Sequence, residues 1–433
     1  MKGPVTNGAN GVAPDADQAV LKPDPHGEGG HVVKKGTRLL VLDGLRAAAI
    51  CLVMIHHYSQ GMVKSGFGDR PFYCFANSCW VGVDLFFVLS GFLITGILLD
   101  AKGSPSYFRT FYIRRSLRIF PIYYLMLLVV FIILPALDMS IVDSFTLDHG
   151  PWFWLYGANY LTGLVAWPDT AVVHLWSLAI EEHFYLLWPF VVFFTSRKQL
   201  LVVCCMTIVC MVGLRFHAAS NGVSSDAIYV MTHYRIGTLV LGSLLALAWR
   251  TPGIWPVLVR YSKMVAVLLF AVLVVGFTNS QGLDWRYWSP VQHAFGYTII
   301  ALFFVAVHVL ALQLPVGTWL YRILSSAPAI LIGRLSYGMY LFHRPIEVVA
   351  IKLGLHPGVR AVEGSPSWPY ELVYITGNAV VTAFVAWVTW NLFEKHVLSL
   401  KDRFVYQKPE AGAAAIRPSV EAGEVTAEVA PLK

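Results

Sequence analysis

The stretch LLVLDGLRAAAICLVMIHHYSQ, residues 39–60, decides the fold class, because it carries Arg46 and His57 inside an apolar run long enough to cross a bilayer. Ionisable residues held that deep usually mark a functional site. Eleven residues separate the two, and eleven α-helical steps turn through about 1,100° while rising about 16 Å. The two side chains therefore share one face at different depths, whereas His56 lies about 80° off it. Arg grips phosphate or carboxylate, and His exchanges a proton near neutral pH. The pattern predicts an anion anchor at one depth and proton chemistry further in. A plainer reading pairs Arg46 with Asp43, one turn earlier, and leaves His57 hydrogen-bonded at the interface.

The rest of the chain has the same character. Of 433 residues, 57% are hydrophobic and 13% charged, with a mean hydropathy of +0.61, too apolar for an ordinary soluble domain. The expectation is an all-α, polytopic membrane bundle of about ten transmembrane helices. Apolar windows fall near 39–59, 79–99, 119–137, 174–195, 199–217, 229–249, 261–277, 290–312, 328–350 and 371–393. The stretch at 151–167 is short and turn-rich, so it is expected at the interface or re-entering, not crossing.

Lys and Arg set the orientation. Lys34, Lys35 and Arg38 precede the first span, Lys102, Arg109, Arg114, Arg115 and Arg118 follow the second, and Arg197, Lys198, Arg250, Arg260 and Lys263 follow the fourth and sixth. The loop 138–173 carries Asp138, Asp143, Asp148 and Asp169 and no Lys or Arg. Both termini are accordingly expected in the cytoplasm, with the chain a multi-pass protein of the inner (plasma) membrane. The net charge of +7 reports topology and gives no support for nucleic-acid binding. Residues 1–36 and 406–433 lack an apolar core and read as disordered cytoplasmic tails flanking a domain over 37–400. Cys74 and Cys79 lie where a disulfide would be allowed, with two free thiols as the alternative. Oligomeric state is not legible.

Four further stretches bear on the chemistry. In FYIRRSLRIFPIYYL (111–125), Arg114, Arg115 and Arg118 cluster on one helical face; they suit a phosphate clamp, or snorkel to lipid phosphates. HLWSLAIEEHFYLLWP (174–189) places Glu181 and Glu182 in a span. Adjacent positions lie about 100° apart, so one glutamate is expected to point inward, where it would orient His57, and the other to be paired or protonated. A buried pair with Arg235 is the structural alternative. VGVDLFFVLSGFLITGIL (81–98) adds Asp84, which needs a partner, and Gly91, which permits close helix packing. GRLSYGMYLFHRPI (333–346) adds Ser336, His343 and a kink-prone Pro345 as supporting elements. No Walker-type loop, GxSxG, HExxH or CxxC motif occurs, and no metal site is expected.

Taken in order, LDGLR with a histidine eleven residues after its arginine, VGVDLFFVLSGFLI, FYIRRSLRIFP, WSLAIEEHFYLLWP and SYGMYLFHRP resemble the membrane-bound acyltransferase-3 family over about residues 39–400. The resemblance implies transfer of an acyl group, most often acetyl from acetyl-CoA, onto a hydroxyl of an extracytoplasmic saccharide or small molecule. It implies Arg46 and His57 as the essential first-span pair, Arg115 and Arg118 as the Arg-x-x-Arg element, and Glu181–Glu182 as the acidic position. His183 stands where many members carry glutamine, and Arg344 where an aromatic is frequent. Some relatives carry a fused esterase-like domain, for which this chain is expected to have no room. The mechanism expected is docking of acetyl-CoA from the cytoplasm, with His57 acting either as base for the acceptor hydroxyl or as carrier of the acyl group. The acceptor would be a cell-surface or exported saccharide, with a secreted small molecule such as a macrolide as an alternative. A permease is the rival from another class.

Overall fold

The computed structural model describes residues 40–60, 69–279, 286, 288–356 and 368–407. The two tail assignments lie outside these, except for Tyr406 and Gln407. Ten long helices build the bundle: α1 (Leu40–Tyr58), α2 (Gly82–Ala101), α3 (Tyr107–Leu128), α4 (Leu175–Phe194), α5 (Arg197–Ser220), α6 (Thr232–Trp249), α7 (Ile254–Asn279), α8 (Pro290–Leu312), α9 (Ala327–Lys352) and α10 (Trp368–Thr389). There is no strand among the described residues. The all-α membrane architecture expected from composition is therefore what the chain adopts.

Among the described residues nine helical segments are long and apolar enough to cross a membrane, and α9 is not among them. It carries Arg334, Arg344 and Glu347, yet it runs beside α1 from one end to the other. Gly333 meets the Asp43 backbone near the start of α1, and His343 meets His57 near its end. A helix screened from lipid by its neighbours tolerates charges that a lipid-facing one excludes. By contrast, α5 and α7 bury little and present Val, Leu, Met and Phe outward.

Helix starts follow local chemistry. Ser196 with Gln199, and Ser289 with Gln292, form capping boxes at α5 and α8, and Ser326 accepts from the Ala329 amide at α9. The third span differs from the apolar window at 119–137, because its helix begins at Tyr107 and runs through a π-helical turn at Val129–Ile133 to Ala136. The Arg114–Arg118 cluster is thus helical and inside the bundle edge. Segment 151–167 forms two short helices, Gly150–Trp154 and Ala158–Leu164, too short to cross.

Two close approaches set the geometry. A Cβ on Gly91 of α2 would lie 1.9 Å from the Leu239 carbonyl oxygen of α6, so α2 and α6 touch backbone to backbone as the sequence anticipates. A Cβ on Gly333 would lie 2.1 Å from the Asp43 carbonyl oxygen. Gly333→Ala is therefore expected to force α9 off α1 and destabilise the protein by about 1–3 kcal/mol, read as a lowered Tm in detergent; an unchanged Tm would mean that the contact is dispensable.

Between α2 and α6, Asp84 accepts both carboxylate bonds from Arg235 at 3.0 Å, with Thr238 at 3.3 Å. Both ion-pair side chains are fully buried, and the Arg235 guanidinium lies 4.3 Å from the Tyr297 ring centroid. Asp84, expected as a supporting site residue, thus finds its partner in the core and neutralises the charge that Arg235 carries there. The alternative pairing of Arg235 with a glutamate is excluded by the same contact. All described cysteines are free. Cys74 and Cys79 stand five residues apart on helical backbone, about 140° apart in direction, so their thiols do not face each other.

Candidate functional site

Two cavities lie along the side of α1 that carries Arg46 and His57. The first sits at the end where α1 begins, and is lined by Arg46, Arg114, Arg115, Arg118, Glu181, Glu182 and Ser336 among others. The second lies toward the end of α1 and is lined by His56, His57, Arg344 and a set of aromatic rings. Val83 and Tyr340 line both. Arg46 and His57 therefore do not open into one undivided chamber, as a shared face alone would suggest, but into adjoining chambers with a common wall.

In the first cavity arginines outnumber carboxylates, and each arginine has its own surroundings. Arg46 lies 3.4 Å from Asp43, which supports it from within α1. The Arg115 guanidinium stacks 3.9 Å from the Tyr185 ring centroid and lies within electrostatic reach of Glu181 and Glu182. Ser90 and Tyr185 hydroxyls meet each other and the Glu181 carboxylate. Arg118 faces Glu394 electrostatically. The Ser336 hydroxyl donates to the Gly333 carbonyl at 2.9 Å, so its hydrogen is spent within α9.

Three sequence expectations change here. Both glutamates border the same cavity, because a chamber that wraps part of α4 is wide enough to meet positions about 100° apart. Neither of them orients His57, since they belong to the arginine cavity and the partner of His57 is another histidine. Arg114 is drawn from phosphate duty: its Nη1 donates to the Phe404 carbonyl at 2.8 Å and, more weakly, to that of Lys401 at 3.5 Å.

At the second cavity, the lining residue His57 is half of a histidine pair. His57 Nδ1 lies 2.9 Å from His343 Nε2, and His343 Nδ1 lies 2.7 Å from the Tyr340 carbonyl oxygen. A carbonyl only accepts, so His343 Nδ1 carries a hydrogen; in the neutral ring its Nε2 then accepts, and His57 Nδ1 must donate. That leaves the lone pair of His57 on Nε2. The arrangement gives His57 the tautomer a general base or nucleophile needs, with a backbone-anchored imidazole where a carboxylate often stands.

The surroundings hold the pair still. The Tyr58 hydroxyl reaches Thr382 Oγ1 at 2.7 Å and the His343 carbonyl at 3.3 Å, tying α1, α9 and α10 together. Arg344 pairs with Glu347 and donates to the Thr170 carbonyl at 3.1 Å, Gln60 Oε1 at 3.3 Å and the His57 carbonyl at 3.4 Å. His56 meets the Ala76 carbonyl at 3.4 Å through Nδ1 and Gln60 at 3.4 Å through Nε2, which sets it apart from His57. His174, flanking α4, stands 4.7 Å from the His343 ring centroid and faces the Leu341 carbonyl, the one that Pro345 frees from the helix ladder.

Sequence reasoning did not give Tyr340, Arg344 or His174 a role in the pair's surroundings. The spacing Tyr340–His343–Arg344 on one helix was the available signal, and only the packing of α9 on α1 reveals what it serves. Among the described residues no group of His, Cys, Asp or Glu is disposed to hold a metal ion.

Comparison with known proteins identifies the family. The model of the acyltransferase domain family named Acyl_transf_3 matches residues 39–390. The peptidoglycan O-acetyltransferase OatA of Listeria monocytogenes is 32% identical over 70% of this chain and 49% of its own length. The putative peptidoglycan O-acetyltransferase YrhL of Bacillus subtilis is 28% identical over 82% of this chain and 54% of its own. The O-acetyltransferase OatA of Staphylococcus aureus is 29% identical over 71% and 50%. The chain spans about half the length of these relatives. No solved structure matches it at a significant level. The family match takes in all of α1 to α10, including the helices that carry Arg46, the Arg115–Arg118 element, Glu181, His57 and His343, and so this chain belongs to the acyltransferase-3 family.

Proposed function

We propose that this protein is a membrane O-acetyltransferase that takes acetyl from acetyl-CoA on the cytoplasmic side and places it on a hydroxyl of an extracytoplasmic saccharide. The observation that carries the reading is the adjacency of an arginine-rich cavity and a histidine cavity across the Val83–Tyr340 wall. Coenzyme A is polyanionic, and the first cavity offers Arg46, Arg115 and Arg118 as fixed cations that suit its phosphates. The Lys and Arg distribution supports an orientation with this end of the bundle, and both termini, facing the cytoplasm.

At His57, Nε2 takes the proton of the acceptor hydroxyl as its oxygen bonds to the thioester carbonyl carbon. The carbon–sulfur bond then breaks, and the thiolate leaves to be protonated as free coenzyme A. His343 keeps the tautomer and shares the charge that develops on His57. The second cavity, with Trp80, Trp167, Trp176, Tyr73 and Tyr229 beside Asn77, Gln60 and Asp226, combines flat apolar faces with hydrogen-bonding groups, which suits a sugar ring. Relatives named for peptidoglycan make a cell-wall glycan the first acceptor to try.

The test uses the full chain in vesicles loaded with glycan fragments and supplied outside with acetyl-labelled CoA. Label appearing on an enclosed hydroxyl as an alkali-labile ester is the expected result. Solute counterflow that needs no acyl-CoA, with no ester formed, would overturn the reading in favour of a permease.

A further inference from the structure

Composition places Tyr406 in a tail, yet the structure folds it against the site. After α10 the chain passes through a π-helical turn at Trp390–Glu394 and short helices to Arg403. Residues 404–407 then run back along the start of α3. Arg114 donates to the Phe404 carbonyl at 2.8 Å, and the Gln407 amide donates to Ser106 Oγ at 3.1 Å. These bonds bracket Tyr406 on both sides, and the ring lines the first cavity together with Arg114, Arg115 and Arg118. The strap lies beyond residue 390, where the family match ends.

We propose that Tyr406 is a stacking platform for a planar heteroaromatic base, making the mouth of the first cavity a nucleotide-base subsite. This rests on the reading that the cavity receives acyl-CoA. The geometry gives the division of labour. Arg115 and Arg118 face the cavity from α3 as phosphate cations, whereas Arg114 holds the strap through a backbone carbonyl. A tyrosine held at its backbone by such a clasp loses little further freedom on stacking a base, and base–aromatic stacking accepts any ring with a π-face. The reacting acyl group and the base sit at opposite ends of coenzyme A. A base held beside Tyr406 therefore leaves the pantetheine arm free to extend from the mouth toward the Val83–Tyr340 wall.

The experiment measures binding of CoA and of 4′-phosphopantetheine, which lacks the nucleotide base, to the purified full-length protein by calorimetry. Tyr406→Ala is expected to weaken CoA about tenfold, the loss that follows removal of one base stack, and to reduce the wild-type preference for CoA over phosphopantetheine by a similar factor. Tyr406→Phe, which keeps the ring, is expected to bind CoA within about twofold of wild type. Equal weakening toward both ligands would make the strap a mere shaper of the mouth and overturn the proposal, as would undiminished CoA binding by Tyr406→Ala. Wild-type protein that binds neither ligand would bring down the donor reading itself and this subsite with it. That outcome shows before any variant is measured, so the two failures are told apart.

Discussion

Replacing His57 with Ala is expected to lower acyl transfer by about a thousandfold or more, the scale of a lost general acid–base group, while the protein inserts and binds acyl-CoA normally. The ring lines an existing cavity and its partner is one imidazole nitrogen, so truncation enlarges a space already present and leaves the bundle standing. The loss falls on kcat, because His57 lines the second cavity and is not among the residues lining the arginine cavity that would bind the donor's phosphates. His343→Gln should fall between wild type and His57→Ala, because an amide oxygen still accepts from His57 Nδ1 without the imidazole's capacity to share charge. Single-turnover transfer from labelled acetyl-CoA, with donor affinity measured in parallel, decides the matter. Near-normal turnover by His57→Ala would remove this histidine from the chemistry. Equal losses for His56→Ala and His57→Ala would show that the tautomer argument picked the wrong ring.

The second large effect is expected at Arg118. Arg118→Ala should raise the Kd for acetyl-CoA about 10- to 100-fold, the scale of a lost charge-assisted bond to phosphate, with kcat at saturating donor changing far less. Arg118→Lys should recover only part of the affinity, since the charge returns without the planar fork. Arg115 is a poorer test, because its guanidinium is stacked on Tyr185 beside Glu181 and its removal also strips a partner from a buried carboxylate. Lys and Ala variants of Arg118 that behave alike would argue for a charge serving topology alone. The readout is calorimetric Kd together with a KM-against-kcat comparison.

The site was legible where chemistry is set by spacing along one helix. Arg46 and His57 face the cavities as their separation requires, and Gly91 makes the close approach that a small residue permits. Pairings between helices were another matter. Nothing local distinguishes Asp84 from Glu181 as the mate of Arg235, since both are carboxylates at membrane depth; the choice falls to Asp84 because Gly91 lets α2 pack directly on α6. The glutamates look from sequence like a carboxylate for His57, but α4 delivers them to the arginine end, and α9 brings His343 to His57 instead.

The sequence by itself determined a helical membrane bundle, the uneven placing of its Lys and Arg, and the face of α1 that carries both Arg46 and His57. These depend on the fixed period of a helix and on the energy of exposing polar groups to lipid, both readable residue by residue. Only the tertiary structure decided that the arginine and histidine open into two chambers divided by Val83 and Tyr340, that a histidine orients His57, and that Arg114 clasps a strap bearing Tyr406. Each of those facts joins residues far apart in the chain, and contact between them is set by which helices lie close enough to touch.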